Sequence, residues 1–272
     1  MTPSTDTNEY ALGSDEAEHA RLIRQAAWLA QPTERLFRAA GICPGQRILD
    51  LGSGVGDVSL IAARIVGAKG EVVGAERDPR AVARATTRAR ELGLKHVRFT
   101  QVDIAALPIE QPFDAAVGRY ILMWLRDPAQ VLRSVAKIVR PGGIIAFHEP
   151  CWKSFLQASE QLPLWRAGAG LMIDTLLYTG VNTRMGADLK ATFAAAGLPE
   201  PALQTDTLVG AERWMPDVIQ SLAPQMRALD LPLDSLGNLS TLYERLIEEA
   251  KSQNVPPPLP AIVGAWVRMP AS

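Results

Sequence analysis

A short apolar run that ends in three closely spaced glycines constrains the fold of this chain more than any other feature. Residues 47–51, Arg-Ile-Leu-Asp-Leu, are typical of a buried strand, and residues 57–66 have a helical pattern. Gly52, Gly54 and Gly56 lie between them, so backbone N–H groups at the start of the helix are accessible to a ligand. This order predicts the first unit of an α/β sheet, with a ligand site at the carboxyl edge.

The charges around the glycine loop limit which ligand it can bind. The dinucleotide pattern G-x-G-x-x-G places its third glycine one residue after Gly56, where this chain has Asp57. The Asp57 carboxylate would repel a pyrophosphate, although Asp57 is also a candidate N-cap of the helix. Asp50 adds a second negative charge. The loop therefore favours a ligand with positive charge, such as an ammonium or a sulfonium.

Strands and helices alternate along the first 150 residues. The predicted strands are 47–51, 70–76, 97–102, 114–118, 143–148, 202–209 and 261–267. The predicted helices are 15–30, 33–40 after a break at Pro32, 57–66, 78–92, 128–139, 152–180, 184–197 and most of 211–252. The alternation predicts an α/β fold: a doubly wound, mostly parallel seven-stranded sheet with helices on both faces and a helical cap.

The motif order predicts one sheet-centred domain with insertions. Its parts are an N-terminal arm with cap helices (1–41), a cofactor-binding Rossmann-like core (42–150), a helical lid (151–183) and a C-terminal part of the core (184–272) with a second helical insertion at about 211–252 and the last strand. Residues 151–180 are rich in large apolar side chains. They predict a lid over a hydrophobic ligand, while a self-buried insertion or a dimer contact would give the same pattern.

Charge balance and cysteine content exclude several classes of protein. The chain has 28 Lys and Arg against 29 Asp and Glu, so it lacks the cationic field of a nucleic-acid binder. Two cysteines are too few for a disulfide framework or a four-cysteine zinc site, and no cluster has metal-ligand spacing. The sequence has neither a secretory signal nor an apolar run that predicts a membrane span. We expect a cytoplasmic monomer or homodimer whose partner is a small molecule, not a nucleic acid or a membrane.

Acidic residues at the ends of the next two strands extend the candidate ligand site. Glu76 ends the second strand, where a carboxylate accepts hydrogen bonds from both hydroxyls of a ribose. Arg77 either stacks on an adenine or is exposed. Asp103 and Ile104 follow the third strand, and this pair suits the amine and the ring face of an adenine. Three adjacent loops are thus expected to contact a cation, a ribose and an adenine.

These features resemble class I (Rossmann-like) S-adenosylmethionine-dependent methyltransferases of the bacterial small-molecule type. The resemblance is carried by the glycine loop, Glu76, Gln101-Val-Asp-Ile104, Phe113-Asp-Ala-Ala-Val-Gly118 and Val139-Arg-Pro-Gly-Gly143. It implies S-adenosyl-L-methionine as the cofactor, a methionine part near the glycine loop, and an N-terminal arm and first helix over it. The residues assigned to the cofactor are Tyr10, Gln25, Asp50, Gly52, Ser53, Gly54, Glu76, Arg77, Asp103, Ile104, Gly118 and Arg119.

Candidate catalytic and acceptor-binding residues follow the fourth and fifth strands. His148 ends the fifth strand, where a neutral imidazole either takes a proton from the acceptor or only shapes the pocket. Tyr120, after the fourth strand, is the second catalytic candidate, with a core position as the alternative. The expected acceptor pocket is aromatic and consists of Trp124, Trp152, Trp165 and Tyr178.

The sequence favours an enzyme that moves a methyl group to a small, fairly apolar molecule, such as a secondary metabolite. Methyl transfer from a sulfonium requires in-line approach and exclusion of water more than it requires a strong base. Because no catalytic side chain is obligatory, a cyclase or rearrangement catalyst that binds the same cofactor without net methyl transfer is the alternative. A nicotinamide-dependent oxidoreductase is disfavoured by Asp57 and the displaced third glycine.

Overall fold

The computed structural model describes residues 16–104 and 112–271; the predicted cofactor residue Tyr10 lies outside these ranges. The strands are β1 (Arg47–Leu51), β2 (Glu71–Glu76), β3 (Val97–Gln101), β4 (Phe113–Arg119), β5 (Val139–Cys151), β6 (Ala202–Thr207) and β7 (Ala261–Arg268). The helices are α1 (Glu16–Ala40), α2 (Asp57–Val66), α3 (Pro79–Glu91), α4 (Pro128–Ile138), α5 (Lys153–Ser159), α6 (Pro163–Tyr178), α7 (Met185–Ala195), α8 (Trp214–Ala228) and α9 (Leu242–Ser252).

The strands form one sheet in the order β3-β2-β1-β4-β5-β7-β6. Strands β1 to β5 pair in parallel, and β7 is antiparallel to both β5 and β6. The chain order reverses between β1 and β4, so a crevice opens outside the carboxyl ends of these strands. The doubly wound, mostly parallel seven-stranded fold is confirmed.

Both faces of the sheet are covered, which explains why its central strands are apolar without alternation. Ile48 of β1 packs in a core with residues of α1 and α2, whereas its neighbour Leu49 packs in the core on the opposite face, with residues of α4 and α7. Ile144 and Ile145 of β5 divide between the two cores in the same way. The sheet is therefore a rigid base from which only the strand ends contact a ligand.

Helix α1 is continuous, and the predicted break at Pro32 is wrong. Pro32 lies inside the helix and is buried. A proline removes one backbone hydrogen bond and clashes with the preceding turn. Burial of Leu29, Leu36 and Phe37, all fully enclosed, outweighs this local cost. One helix thus packs against both α2 of the core and α8 of the cap.

The segments after β5 and after β6 form the expected helical cap. Helices α5 and α6 follow β5, where one helical region was predicted, and α8 and α9 occupy the connection between β6 and β7. Helix α6 packs against both α8 and α9. In the part of the chain that the structure describes, no helix has the length and apolarity that crossing a membrane requires.

Candidate active site

A cavity of about 520 Å³ lies between the carboxyl edge of the sheet and the cap. Its sheet side is formed by the glycine loop and by the residues that follow β2, β3 and β4. Its cap side is formed by α1, α6, α8 and the segments next to β5 and β7. Of the predicted site residues, those that line this cavity are Gln25, Gly52, Ser53, Gly54, Glu76, Arg77, Asp103, Ile104, Arg119, Tyr120, Trp124 and Trp152.

The glycine loop has the geometry that its composition predicts. Gly52, Gly54 and Gly56 all have positive φ, at 62°, 52° and 92°, where side chains are strained. A Cβ at Gly52 would lie 2.5 Å from the Ile121 side chain, whereas a Cβ at Gly54 would meet no atom within 4 Å. Gly52 is therefore required for packing, and Gly54 presents bare backbone beside the open cavity.

Glu76 ties the glycine loop to the end of β2. One carboxylate oxygen accepts a hydrogen bond from the Gly54 N–H at 2.8 Å. The other accepts from the N–H groups of Arg77 at 2.8 Å and Asp78 at 3.0 Å. A carboxylate has about four acceptor positions, so this fixed group retains capacity for a ligand hydroxyl. Glu76 thus both shapes the loop and lies on the cavity surface.

Asp50 and Gly118 do not line the cavity. Asp50 is fully buried behind the glycine loop, where the Ser59 hydroxyl donates to Oδ2 at 2.6 Å and Oδ1 has no partner. Burial raises the pKa of Asp50 to about 7 against the lowering effects of Ser59 and Arg119. Gly118 lies beneath Ile121, since a Cβ there would be 2.8 Å from that side chain. The predicted direct contacts of these two residues are corrected to positions beneath the ligand site.

The acidic rim predicted at the glycine loop is partly neutralised by arginines. Asp57 pairs with Arg88 of α3 at 2.7 Å, and Arg88 also donates to the carbonyl oxygen of Val55 at 2.5 Å. Gly56 occupies the N-cap position of α2, so the N-cap role of Asp57 is wrong. Arg119 donates to Thr33 of α1 at 3.0 Å and lies on the cavity surface. Nothing in the sequence spacing of Arg88 identified its contact with the loop.

The structure places His148 away from the cavity, which corrects its predicted position beside the acceptor. Its side chain is 1% exposed and does not line the cavity. Nδ1 lies 3.4 Å from the Thr33 hydroxyl, and Nε2 has no hydrogen-bond partner among the residues that the structure describes. Burial, aided by the Arg119 charge, lowers the pKa of His148 to about 3, so the imidazole is neutral. The alternative prediction, that His148 only shapes the pocket, does not match its position off the cavity either.

The neighbouring Glu149 has a role that the sequence did not reveal. Its carboxyl is fully buried, and Oε1 accepts hydrogen bonds from the backbone N–H groups of Ile121 at 3.0 Å and Leu122 at 2.8 Å. Burial raises the pKa of Glu149 to about 8, although these hydrogen bonds oppose the shift. Glu149 thereby holds segment 120–124, which supplies several residues of the cavity. The sequence signal that could have indicated this role is a carboxyl side chain at the end of an apolar strand.

Aromatic side chains line the cavity on both its sheet side and its cap side. The tryptophans that line it, here called the aromatic wall, are Trp28, Trp124, Trp152 and Trp214. Tyr120, which has φ of 55°, also lines the cavity, and burial raises the pKa of its phenol, which stays protonated. The sequence identified Trp124 and Trp152 but missed Trp28 and Trp214.

Two predicted pocket residues on α6 lie elsewhere. Trp165 is fully buried in the cap, and its indole N–H donates to the Leu246 carbonyl at 2.9 Å. Tyr178 is 69% exposed at the end of the helix. Neither lines the cavity, because α6 turns only part of its surface, including Leu176, toward it. Both predictions are corrected.

No group of three or more His, Cys, Asp or Glu side chains within residues 16–104 and 112–271 is arranged to hold a metal ion. The polar side chains at the cavity instead suit an organic ligand with hydroxyl and cationic groups. A Rossmann-like sheet, a glycine loop tied to an acidic strand end and a helical cap together define a class I methyltransferase domain.

The chain belongs to the family described as "Methyltransferase domain", whose model matches residues 42–194. It is 35% identical over 128 residues to a 2-phytyl-1,4-naphtoquinone methyltransferase of Synechococcus elongatus, covering 45% of this chain and 54% of that protein. It is 30% identical over 171 residues to the ubiquinone/menaquinone biosynthesis C-methyltransferase UbiE of Edwardsiella ictaluri, covering 58% and 68%. The chain spans about half the length of the first curated relatives that it matches.

The fold is also that of the [4+2]-cyclase SpnF, with a TM-score of 0.55 and 22% identity over 89% of this chain and 81% of that one. The family's cofactor is S-adenosylmethionine, and the residues on the cavity fit it. The open backbone at Gly54 leaves room for a ligand, and Ser53 also lines the cavity. Glu76 has acceptor capacity for ribose hydroxyls, and Asp103 with Ile104 lies farther along the same edge.

Proposed function

We propose that this chain transfers the methyl group of S-adenosylmethionine to a small, fairly apolar acceptor. The observation that carries the proposal is a cavity lined both by the glycine loop with Glu76 and by four tryptophans. We assign the cofactor to the part beside the glycine loop and Glu76, the cofactor end, and the acceptor to the part beside the aromatic wall, the acceptor end. The two molecules would then meet inside one cavity.

The bound cofactor supplies a methyl group on a sulfonium; the S–C bond breaks, its electron pair stays on sulfur, and the acceptor forms the new bond and releases a proton if it carried one. Neither of the two predicted catalytic side chains supplies a strong base at the cavity. The Tyr120 phenol stays protonated, and His148 lies off the cavity. The chain's own contribution is therefore alignment by the glycine loop and exclusion of water by the cap.

The names of the relatives support an apolar ring as the acceptor. Two of them are named for naphthoquinone and for ubiquinone or menaquinone substrates. Four tryptophans along the cavity favour a flat, apolar ligand of that general kind, since aromatic faces stack on ring systems. A cytoplasmic location, a monomer or homodimer, and the absence of nucleic-acid and membrane partners stay predictions.

Calorimetric titration with S-adenosylmethionine tests the cofactor part of this proposal. Glu76→Ala removes both the hydroxyl acceptor and the tie to Gly54, and we expect affinity to fall by about tenfold or more. Glu71→Ala is the matched control, because Glu71 lies at the opposite end of β2 and pairs with Arg47 and Arg98 away from the cavity.

Equal loss in both variants, or tight binding of a nicotinamide dinucleotide without S-adenosylmethionine binding, would contradict the proposal. Mass spectrometry of candidate acceptors then tests the transfer, which adds one methylene to the acceptor's mass. A bound cofactor with a rearranged acceptor of unchanged mass would favour the cyclase alternative.

A further inference from the structure

Trp214, the first residue of α8, carries a hydrogen-bond donor that the described protein does not use. The side chain is 8% exposed and lines the cavity, and its indole Nε1 is buried without a partner. Trp165 of the same cap is the instructive contrast, since its Nε1 donates to the Leu246 carbonyl. Buried indole N–H groups are normally paired, so the exception at Trp214 requires an explanation.

The orientation of this donor is set by packing before any ligand binds. The Phe155 ring meets the Trp214 ring edge-on, with centroids 5.0 Å apart and an interplanar angle of 69°. The Trp152 ring lies 6.5 Å away on a tilted plane. Phe155 is itself fully buried. Rings held in this way lose little freedom when a ligand arrives, which makes Trp214 a preorganised contact.

Apart from α1, the other cap residues that line the cavity are apolar: Pro150, Trp152, Leu176, Leu208, Val218 and Pro260. None of these side chains offers an oxygen acceptor, and no group within residues 16–104 and 112–271 accepts from the indole N–H, which leaves this donor for a bound molecule. We propose that Trp214 Nε1 donates a hydrogen bond to an oxygen of the methyl acceptor. The acceptor is then an apolar ring compound with a carbonyl or hydroxyl oxygen, and Trp214 determines its specificity.

This inference rests on the proposed function only in identifying the bound molecule as the methyl acceptor. The donor itself is tested with two probe ligands of nearly equal shape, 1-tetralone, which has a carbonyl oxygen, and tetralin, which lacks it. Calorimetry measures the affinity of each probe in the presence of saturating S-adenosylhomocysteine, so that the probes enter only the acceptor end. The quantity compared between proteins is the ratio of the two affinities.

Trp214→Phe keeps an aromatic ring and removes the N–H. We expect the ratio of tetralone to tetralin affinity to fall about tenfold in this variant, because one buried hydrogen bond is lost. Trp165→Phe makes the same chemical change away from the cavity, and its ratio is expected to equal that of the wild type.

An unchanged ratio in Trp214→Phe, or an equal fall in both variants, would overturn the inference. Failure of S-adenosylhomocysteine to bind would count against the proposed function alone, because the ratio for the free protein still tests the donor. The two failures are thus distinguishable.

Discussion

Burial of Glu149 should make the free energy of unfolding fall as pH rises, and Glu149→Gln should remove this dependence. The sign is opposite to that of acid denaturation, in which stability falls as pH falls. The buried Glu149 carboxyl has its pKa raised from 4.5 to about 8 in the folded chain. When folding raises the pKa of a group, its full contribution to stability is present at pH values below the pKa of the unfolded state. This contribution is lost as pH rises through the pKa of the folded state. Glutamine retains the Oε1 acceptor for Ile121 and Leu122 but does not titrate.

The size of the effect follows from the shift. Each pKa unit corresponds to about 1.4 kcal/mol, and most of the range between the two pKa values lies between pH 5 and pH 8. The free energy of unfolding of the wild type should therefore fall by about 3 kcal/mol more than that of Glu149→Gln over this interval. Asp50, whose pKa is also raised, is present in both proteins and cancels in the comparison.

Urea unfolding followed by circular dichroism at several pH values measures this difference. If the glutamine amide itself lowers the free energy of unfolding, it does so equally at every pH. The slope of the free energy of unfolding against pH is therefore unaffected. Parallel pH profiles for the wild type and Glu149→Gln would refute the reasoning, because they would mean that the folded and unfolded carboxyls titrate alike. A difference that increases toward low pH would reverse the assigned sign.

His148→Ala should lower the free energy of unfolding by about 1–3 kcal/mol, because buried packing is lost. The affinity for S-adenosylmethionine and the turnover of the folded protein should stay near normal. A large fall in turnover without a fall in affinity would support the general-base role instead. Arg88→Met should weaken S-adenosylmethionine binding several-fold, since Arg88 holds both Asp57 and the Val55 carbonyl at the glycine loop. The exposed Arg84, one turn earlier on α3, provides the control Arg84→Met, and equal affinities in the two variants would exclude the loop contact.

Much of the fold was predictable because its strong local signals agree with one another. Asp78 and Pro79 predicted the start of α3, and the Asp78 side chain caps it by accepting from the Arg80 N–H at 2.9 Å. The continuity of α1 through Pro32 was not predictable in the same way. Burial of residues elsewhere along the helix outweighs the local preference of proline for a helix break. Local propensity is decisive only where tertiary packing does not oppose it.

The cofactor end of the candidate site was more predictable than the acceptor end. Parallel strands bring their carboxyl ends together, so Glu76 and Asp103 could be placed at one edge from sequence order alone. The neighbours His148 and Glu149 are both buried in a strand covered on both faces, and their sequence does not indicate that Glu149 is the one that holds the segment after β4. Trp165 and Tyr178 share a helix whose apolar residues lie in the cap interior, at the cavity and in solvent. Composition alone could not select those that contact a ligand.

The antiparallel pairing of β6 with β7 has a consequence for how such a chain changes over evolutionary time. Both ends of the 208–260 connection leave from one edge of the sheet, and Leu208 and Pro260 both border the cavity. Lengthening a connection between fixed ends costs only about 0.6 kcal/mol for each doubling. The connection can therefore be rebuilt or exchanged without altering the strand pairs below it, which would allow descendants of one cofactor-binding scaffold to diverge in the molecules they accept.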